Sequence, residues 1–145
     1  MEINLTSFLA GKSLLGIQIN DLKEDIKKKL GSPIEIAGEK NYGFIYYPNG
    51  IRYSYLDNQI NELTILFEVK DSLVLKIENK FGEQLEISKR IQIHEFIYLL
   101  NSTGVIWKCV DQKDLSTFMI VINNNVGIYF NLDSGGLNRI SVGRR

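Results

Sequence analysis

The sequence has few of the residues that most directly report a covalent or catalytic role. It holds one cysteine, Cys109, and one histidine, His94, in 145 residues. A single cysteine excludes an intramolecular disulfide, which is typical of a reducing compartment. The two residues cannot hold a metal ion alone, and no carboxylate run has the spacing of a calcium loop. We therefore expect no disulfide, no metal and no cofactor.

Net charge is also absent, because 17 Lys and Arg balance 17 Asp and Glu. Proteins that bind nucleic acids usually show a basic excess or a basic stripe. The basic run at residues 27–29 follows Asp21, Glu24 and Asp25, and acid at the start with base at the end suits a helix dipole. The charge pattern predicts a helix here and no nucleic-acid partner.

No hydrophobic run is long enough to cross a membrane. The first residues do not resemble a signal peptide, because Glu2 stands where positive charge is needed and polar residues such as Thr6 and Ser7 interrupt the apolar run. We expect a cytoplasmic protein with no membrane contact.

Three candidate chemical groups fail on inspection. Gly11-Lys12-Ser13 resembles the end of a phosphate-binding loop, but Thr6 occupies the position of its first glycine. His94 has no partner at a spacing that indicates a catalytic triad. Cys109 lies in the apolar stretch VIWKCV, which favours a buried and inert thiol. The sequence therefore predicts a protein that is not an enzyme.

What the chain does contain is an internal similarity. The tripeptide IQI occurs at residues 17–19 and 91–93, and at this offset Leu22 and Ile26 correspond to Phe96 and Leu100. Each pair has the i, i+4 spacing of one helix face. Asp21 and Glu24 have the spacing of a capping box at the first helix start, and Gly31 and Gly104 follow the two helices as C-terminal glycines.

After each helix the sequence reads as three strands joined by two turns, over residues 42–67 and 116–142. The sequence thus predicts an α+β fold for a single domain, residues 1–145, with two tandem helix–antiparallel-strand units at about 14–70 and 88–143. Residues 71–87 form the linker, in which LVLKIE is a candidate extra strand, and NLTSFLAG near the start is a candidate helical turn. The two units would form one sheet with the helices on one face and an open face on the other.

Alternation along the strands assigns residues to these two faces. The residues expected in the core are Ile51, Tyr53, Tyr55, Leu63, Ile65, Phe67, Ile128, Phe130, Leu132, Ile140 and Val142. On the open face we expect Arg52, Glu62, Tyr129 and Arg139 as the residues that bind a partner. Residues 42–47 carry aromatic side chains on both sides, so this strand is either buried on both faces or places Tyr46 or Tyr47 on the open face, and Tyr47 completes the predicted site.

The order of elements and the stretch GIQINDLKEDIKKKLGSPIEI resemble the beta-lactamase inhibitor protein fold, a tandem α/β-repeat fold, and the small bacterial inhibitor and toxin-immunity proteins of similar build. The resemblance implies a protein-binding inhibitor, most specifically a bacterial immunity protein whose partner is a cognate toxin or enzyme. It identifies no individual binding residue. The alternative is a small-molecule or lipid-binding carrier, with its ligand between the sheet and the helices.

Overall fold

A computed structural model describes residues 2–10, 13–67, 74–87, 90–111, 114–123 and 125–143. The fold is mixed α+β, as the sequence predicts, and strands predominate. The helices are α1 (Leu5–Leu9), α2 (Lys23–Leu30) and α3 (Ile93–Thr103). In chain order the strands are β1 (Glu2–Asn4), β2 (Glu35–Gly38), β3 (Tyr42–Tyr47), β4 (Ile51–Leu56), β5 (Gln59–Leu66), β6 (Val74–Glu78), β7 (Gln84–Ile87), β8 (Trp107–Val110), β9 (Thr117–Ile122), β10 (Val126–Asn131) and β11 (Leu137–Gly143).

Eight strands form one large sheet with the order β2-β3-β4-β5-β11-β10-β9-β8. All its neighbouring strands are antiparallel, and β5 and β11 meet at the centre, where Thr64 lies opposite Ser141. A smaller sheet has the order β1-β6-β7. The strand expected in LVLKIE is β6, and the expected helical turn near the start of the chain is α1.

One continuous cluster of apolar side chains lies on one face of the large sheet. Leu63, Ile65 and Ile140 from the central strands are fully buried in it. The buried residues of the helices belong to the same cluster, and the ring of Phe96 on α3 lies edge-on to Phe130 at 5.5 Å between centroids. The helices therefore pack on this side, and we call the other side of the large sheet the open face.

The helix ends differ from the sequence prediction at one point. The prediction of a capping box at Asp21 and Glu24 is wrong, because the N-cap of α2 is Leu22 and no side chain caps this helix end. Asp21 instead accepts hydrogen bonds from the backbone N–H of Gln18 and from Lys29 Nζ, at 3.0 and 3.1 Å, and these bonds lower the pKa of its carboxyl. The capping box lies at α3, between Gln92 and Glu95.

The strand boundaries also differ from the prediction. Each half of the large sheet holds four strands and not three, because β2 and β8 extend its two edges. Leu132 was expected in the core, but β10 ends at Asn131 and Leu132 is 46% exposed. Residue 124 of the expected asparagine turn, residues 68–73 and residues 88–89 lie outside the described part of the chain.

Within the described ranges, none of the helices has the length and apolar character needed to cross a membrane.

Candidate functional site

A row of polar side chains crosses the centre of the open face. Arg52 on β4, Thr64 on β5 and Ser141 on β11 lie opposite one another in successive ladders. Arg52 Nη2 donates to Glu62 Oε1 at 3.1 Å, and Thr64 Oγ1 donates to the same oxygen at 2.8 Å. Thr64 also shares a 3.2 Å hydrogen bond with Ser141, so three strands are joined through side chains as well as backbone.

Two arginines on this face lie over aromatic rings. The guanidinium carbon of Arg52 is 4.7 Å from the ring centroid of Phe44, and that of Arg139 is 4.1 Å from the ring of Tyr129. Cation–π contact of this kind orders a side chain that is otherwise mobile. A side chain at Gly127 would come within 3.0 Å of Tyr129, so the glycine leaves the space in which that ring lies flat against the sheet.

A hollow of about 460 Å³ opens between these groups, and its lining includes Arg52, Asn61, Glu62 and Arg139. Three buried polar atoms in this lining have no hydrogen-bond partner among the described residues, namely Arg52 Nε, Asn61 Oδ1 and Arg139 Nε. Asn61 lies at a bulge in the β4–β5 ladder. Ser54 pairs with Glu62 and Tyr55 pairs with Ile60, so no residue of β4 lies opposite Asn61. Unpaired buried polar atoms are uncommon in native proteins, so these three atoms make the hollow the candidate binding surface of this face.

The charges in the hollow are not balanced. Glu62 is the partner of Arg52, whereas Arg139 forms no ion pair with any residue in the described ranges. A guanidinium held by an aromatic ring, with free N–H groups, is a geometry that accepts a carboxylate. The arrangement can therefore recognise an acidic group.

Four of the five predicted partner-binding residues come together on the open face: Arg52, Glu62, Tyr129 and Arg139. The fifth, Tyr47, lies on the other face, because it pairs with Ile51 at the end of β3 and both residues are buried. Its hydroxyl donates to Gly31 O at 2.8 Å, and burial raises its pKa. Of the two candidates Tyr46 and Tyr47, Tyr46 is the one on the open face, because it lies opposite Arg52.

Sequence reasoning missed three contributors to the site. Phe44 supplies the ring under Arg52, Asn61 supplies an unpaired acceptor, and Tyr42 is an exposed aromatic residue beside the hollow. The short turn after Tyr47 was a usable signal, because it sets Tyr47 opposite the buried Ile51 and thereby assigns Tyr42 and Phe44 to the open face. The bulge at Asn61 has no counterpart in the sequence pattern.

The residues set aside as catalytic candidates lie apart from this site. His94 is exposed in the first turn of α3. Cys109 was expected to be buried, but it is exposed because it lies on the edge strand β8. Gly11 and Lys12 are outside the described residues. In the ranges the structure covers, no group of three or more His, Cys, Asp or Glu is arranged to hold a metal ion.

Comparison with known proteins gives one structural similarity. No model of a known protein family matches the chain, and no curated protein matches it by sequence. Among solved structures, the chain is similar to a DUF4309 family protein (YjgB) from Bacillus subtilis subsp. subtilis str. 168, with a TM-score of 0.53 and 11% sequence identity. The similarity covers 96% of this chain and 91% of that one, and at this identity it concerns the fold alone.

Proposed function

We propose that this chain is a non-enzymatic inhibitor that binds another protein through the open face, most specifically an immunity protein that neutralises a cognate toxin in the bacterial cytoplasm. The observation that carries the proposal is the hollow between Arg52 and Arg139, with its three unpartnered polar atoms. Buried polar atoms are costly to leave unpaired, so a surface that keeps them is suited to a partner that completes them.

The composition of the surrounding surface favours a protein as the partner. Arginine and aromatic residues dominate the energetic centres of protein interfaces. Tyr42, Phe44 and Leu56 line the hollow and are 59%, 39% and 49% exposed, so they provide apolar contact area around the charged centre. Arg52 and Arg139 already lie against aromatic rings, which lowers the entropy lost when a partner immobilises them.

The charge of the hollow indicates which chemical group the partner should present to it. Because Glu62 already neutralises Arg52, the uncompensated charge belongs to Arg139. An aspartate or glutamate side chain of the toxin, placed in the hollow, would pair with the guanidinium of Arg139. The partner is therefore expected to present an acidic residue at the centre of its contact surface.

The proposed fold relationship is the tandem α/β-repeat arrangement of the beta-lactamase inhibitor protein fold. The order of elements supports it, since α2 is followed by β2 to β5 and α3 by β8 to β11. The two sets of strands run in opposite order across the large sheet and meet at β5 and β11. In this arrangement the Arg52–Glu62 pair and the Tyr129–Arg139 pair come from different units, so the site forms only when both units are joined.

Co-expression tests the proposal directly. The chain is co-expressed with candidate toxin domains from neighbouring genes, and growth and complex formation by size-exclusion chromatography are measured. Rescue of growth with a stable complex is the expected result, whereas no protection and no complex would contradict the inhibitor function.

Two variants with matched controls locate the contact. Truncating an interface hot spot costs about 2 kcal/mol or more, or roughly thirtyfold in affinity. Tyr129→Ala and Arg139→Met should each weaken the complex by that amount in a binding titration. Tyr98→Ala on α3 and Lys28→Met on α2 should leave affinity unchanged, because both residues are exposed and both helices pack on the other side of the large sheet. Normal binding by both open-face variants would place the partner elsewhere, for example on a sheet edge.

A further inference from the structure

A second hollow lies on the helix side of the large sheet, between α2 and the strands β2 and β3. Its volume is about 320 Å³, at the lower end of the range for small-molecule sites. Ile26 of α2 with Ile45 and Tyr47 of β3 form its floor, and all three are buried. Ile36 of β2 forms its outer wall. We call this hollow the α2 groove.

The α2 groove exists because α2 is too short to cover the whole sheet edge. Ile36 lies opposite Ile45 in the β2–β3 ladder, so both side chains point to the helix side. Ile45 is 3% exposed beneath the helix, whereas Ile36 is 55% exposed beyond it. An apolar wall that remains in contact with water beside an apolar floor is a surface that a hydrocarbon chain can cover favourably.

Positive charge surrounds the mouth of the groove. Its lining includes Lys23, Lys27 and Lys40 against a single carboxylate, that of Glu24. Lys23 Nζ lies over the ring of Tyr55 at 4.0 Å, while Lys27 and Lys40 have no ion-pair partner among the residues the structure describes. Lysine stems lie along apolar surface while their ammonium groups stay in water, which places these charges at the rim of an apolar floor.

We propose that the α2 groove binds a single-chain amphipathic anion, a fatty-acid-like carboxylate. Its hydrocarbon chain lies against Ile26, Ile36 and Ile45, and its carboxylate lies between Lys27 and Lys40. The small volume suits one chain, and the apolar floor beneath a cationic rim disfavours cationic and wholly polar ligands. This site is independent of the proposed inhibitor function, because it is on the opposite side of the sheet from the open face.

Three probes separate the parts of the proposal. Dodecanoate, kept below the concentration at which it forms micelles, is titrated into the full chain and followed by calorimetry and by ¹H–¹⁵N NMR spectra. We expect saturable binding of one molecule, with amide shifts concentrated at Ile36, Lys40 and Ile45. Dodecyltrimethylammonium, with the same chain length and opposite charge, should bind at least tenfold more weakly, and acetate should show no saturable binding.

Variants with matched controls test the location. Ile36→Asp should weaken dodecanoate binding at least tenfold, because it places a carboxylate in the apolar wall. Ile34→Asp makes the same change at an exposed isoleucine outside the groove and should alter affinity less than twofold. Lys27→Glu should weaken binding at least tenfold, and Lys108→Glu, with the same change in net charge, should not.

Several results would overturn the proposal. They are no saturable dodecanoate binding, equal affinity for the ammonium probe, or equal losses in Ile36→Asp and Ile34→Asp. Both isoleucine positions are exposed, so the variants are expected to fold, and a denaturant melt of each one verifies this. If dodecanoate binds as expected and the toxin does not, the proposal of a ligand site in the α2 groove is supported and the proposed inhibitor function is contradicted.

Discussion

Arg52 and Arg139 have the same type of side chain on the same face, but their surroundings give them different roles. Arg52 donates to a carboxylate, and its side chain is only 15% exposed. Both side chains lie over an aromatic ring and have a buried Nε with no acceptor among the described residues, so the ion pair with Glu62 is what distinguishes Arg52 from Arg139. Arg52 therefore contributes to the stability of the fold, whereas the position of Arg139 is one that stability alone does not favour.

Stability measurements should separate the two arginines. Arg52→Met loses the same kinds of contact as Arg139→Met and in addition breaks the partly buried pair with Glu62, so it should lower the free energy of unfolding by about 1 kcal/mol relative to Arg139→Met. Arg139→Met loses a cation–π contact of about 0.5–1 kcal/mol but removes an unsatisfied buried donor, which costs about 1–3 kcal/mol. Its free energy of unfolding should therefore be unchanged or higher. Urea melts measure both variants, and a loss above about 1 kcal/mol in Arg139→Met would contradict this view of the residue.

A buried tyrosine makes the stability depend on alkaline pH. Tyr53 is fully buried, and burial, with a smaller effect from the charge of Tyr47, raises its pKa well above the ordinary value. The unfolded chain releases this proton near pH ~10 while the folded chain retains it. The stabilisation is therefore complete below pH ~10, and stability falls above it by at most about 1.4 kcal/mol per pH unit for this group.

The variant Tyr53→Phe isolates that contribution. It removes a 3.1 Å hydrogen bond to Leu14 O, so it should cost about 1 kcal/mol at neutral pH. Its free energy of unfolding should then fall less steeply than that of the wild type between pH 9 and 11. Urea melts across this range give both slopes, and parallel slopes would mean that other groups cause the alkaline loss.

At the scale of elements, the turn between β3 and β4 determines how the open face is composed. Asn49 and Gly50 both adopt positive φ, at 65° and 74°, and the turn sets Tyr47 opposite Ile51. Gly50 also accepts a hydrogen bond from Leu66 N at 2.8 Å, which connects this turn to β5. The geometry of one turn thereby decides that Phe44 and Arg52 share a face.

Two glycines with similar backbone angles should respond differently to substitution. Gly50 and Gly82 have φ of 74° and 80°, so alanine at either position is strained by about 1–2 kcal/mol. At Gly82 nothing lies near the added methyl group, whereas at Gly50 it would collide with Leu66 O. Gly50→Ala should thus cost about 2 kcal/mol more than Gly82→Ala in denaturant melts. Equal costs would show that the turn moves away from β5 without penalty.

The sequence was sufficient to predict the burial of residues in those elements whose apolar pattern follows the local period of a helix or a strand. The helical spacing of Ile26, Phe96 and Leu100, and the alternation around Leu63, Ile65 and Ile140, predicted which side chains are buried. Leu22 was expected on the same helix face, but it precedes α2 and is 40% exposed. Tyr47 was misassigned because residues 42–47 are aromatic on both sides, and the outcome depends on a pairing with β4 that alternation cannot supply. The edge strands β2 and β8 were missed because each has four residues and an incompletely buried face.

At the scale of the whole molecule, both halves of the large sheet share one core. The β5–β11 ladder joins them, and Ile140 packs fully buried beside Ile65. We therefore expect a single unfolding transition. The only tryptophan, Trp107, lies on β8, whereas five of the seven tyrosines lie on β3 and β4 in the other half. Tryptophan fluorescence therefore reports the second half, and the tyrosine bands of the near-ultraviolet circular dichroism spectrum report mainly the first half.

The variant Ile140→Ala tests this cooperativity. Truncating a buried isoleucine costs about 2–5 kcal/mol, and both optical probes should shift together to lower denaturant concentration. Separate midpoints for the tryptophan and tyrosine signals would show that the two halves unfold independently.

The central position of the β5–β11 ladder has a consequence for the newly made chain. Leu66 and Arg139 are partners in that ladder, and about 70 residues must be translated between them, which takes about 4–14 s at typical rates of synthesis. During this interval β5, which becomes the middle of the sheet, is an unpaired edge that carries Leu63 and Ile65. An exposed apolar edge is a site of aggregation until its partner arrives. We therefore expect the nascent protein to be most prone to aggregation while its second half is being synthesised.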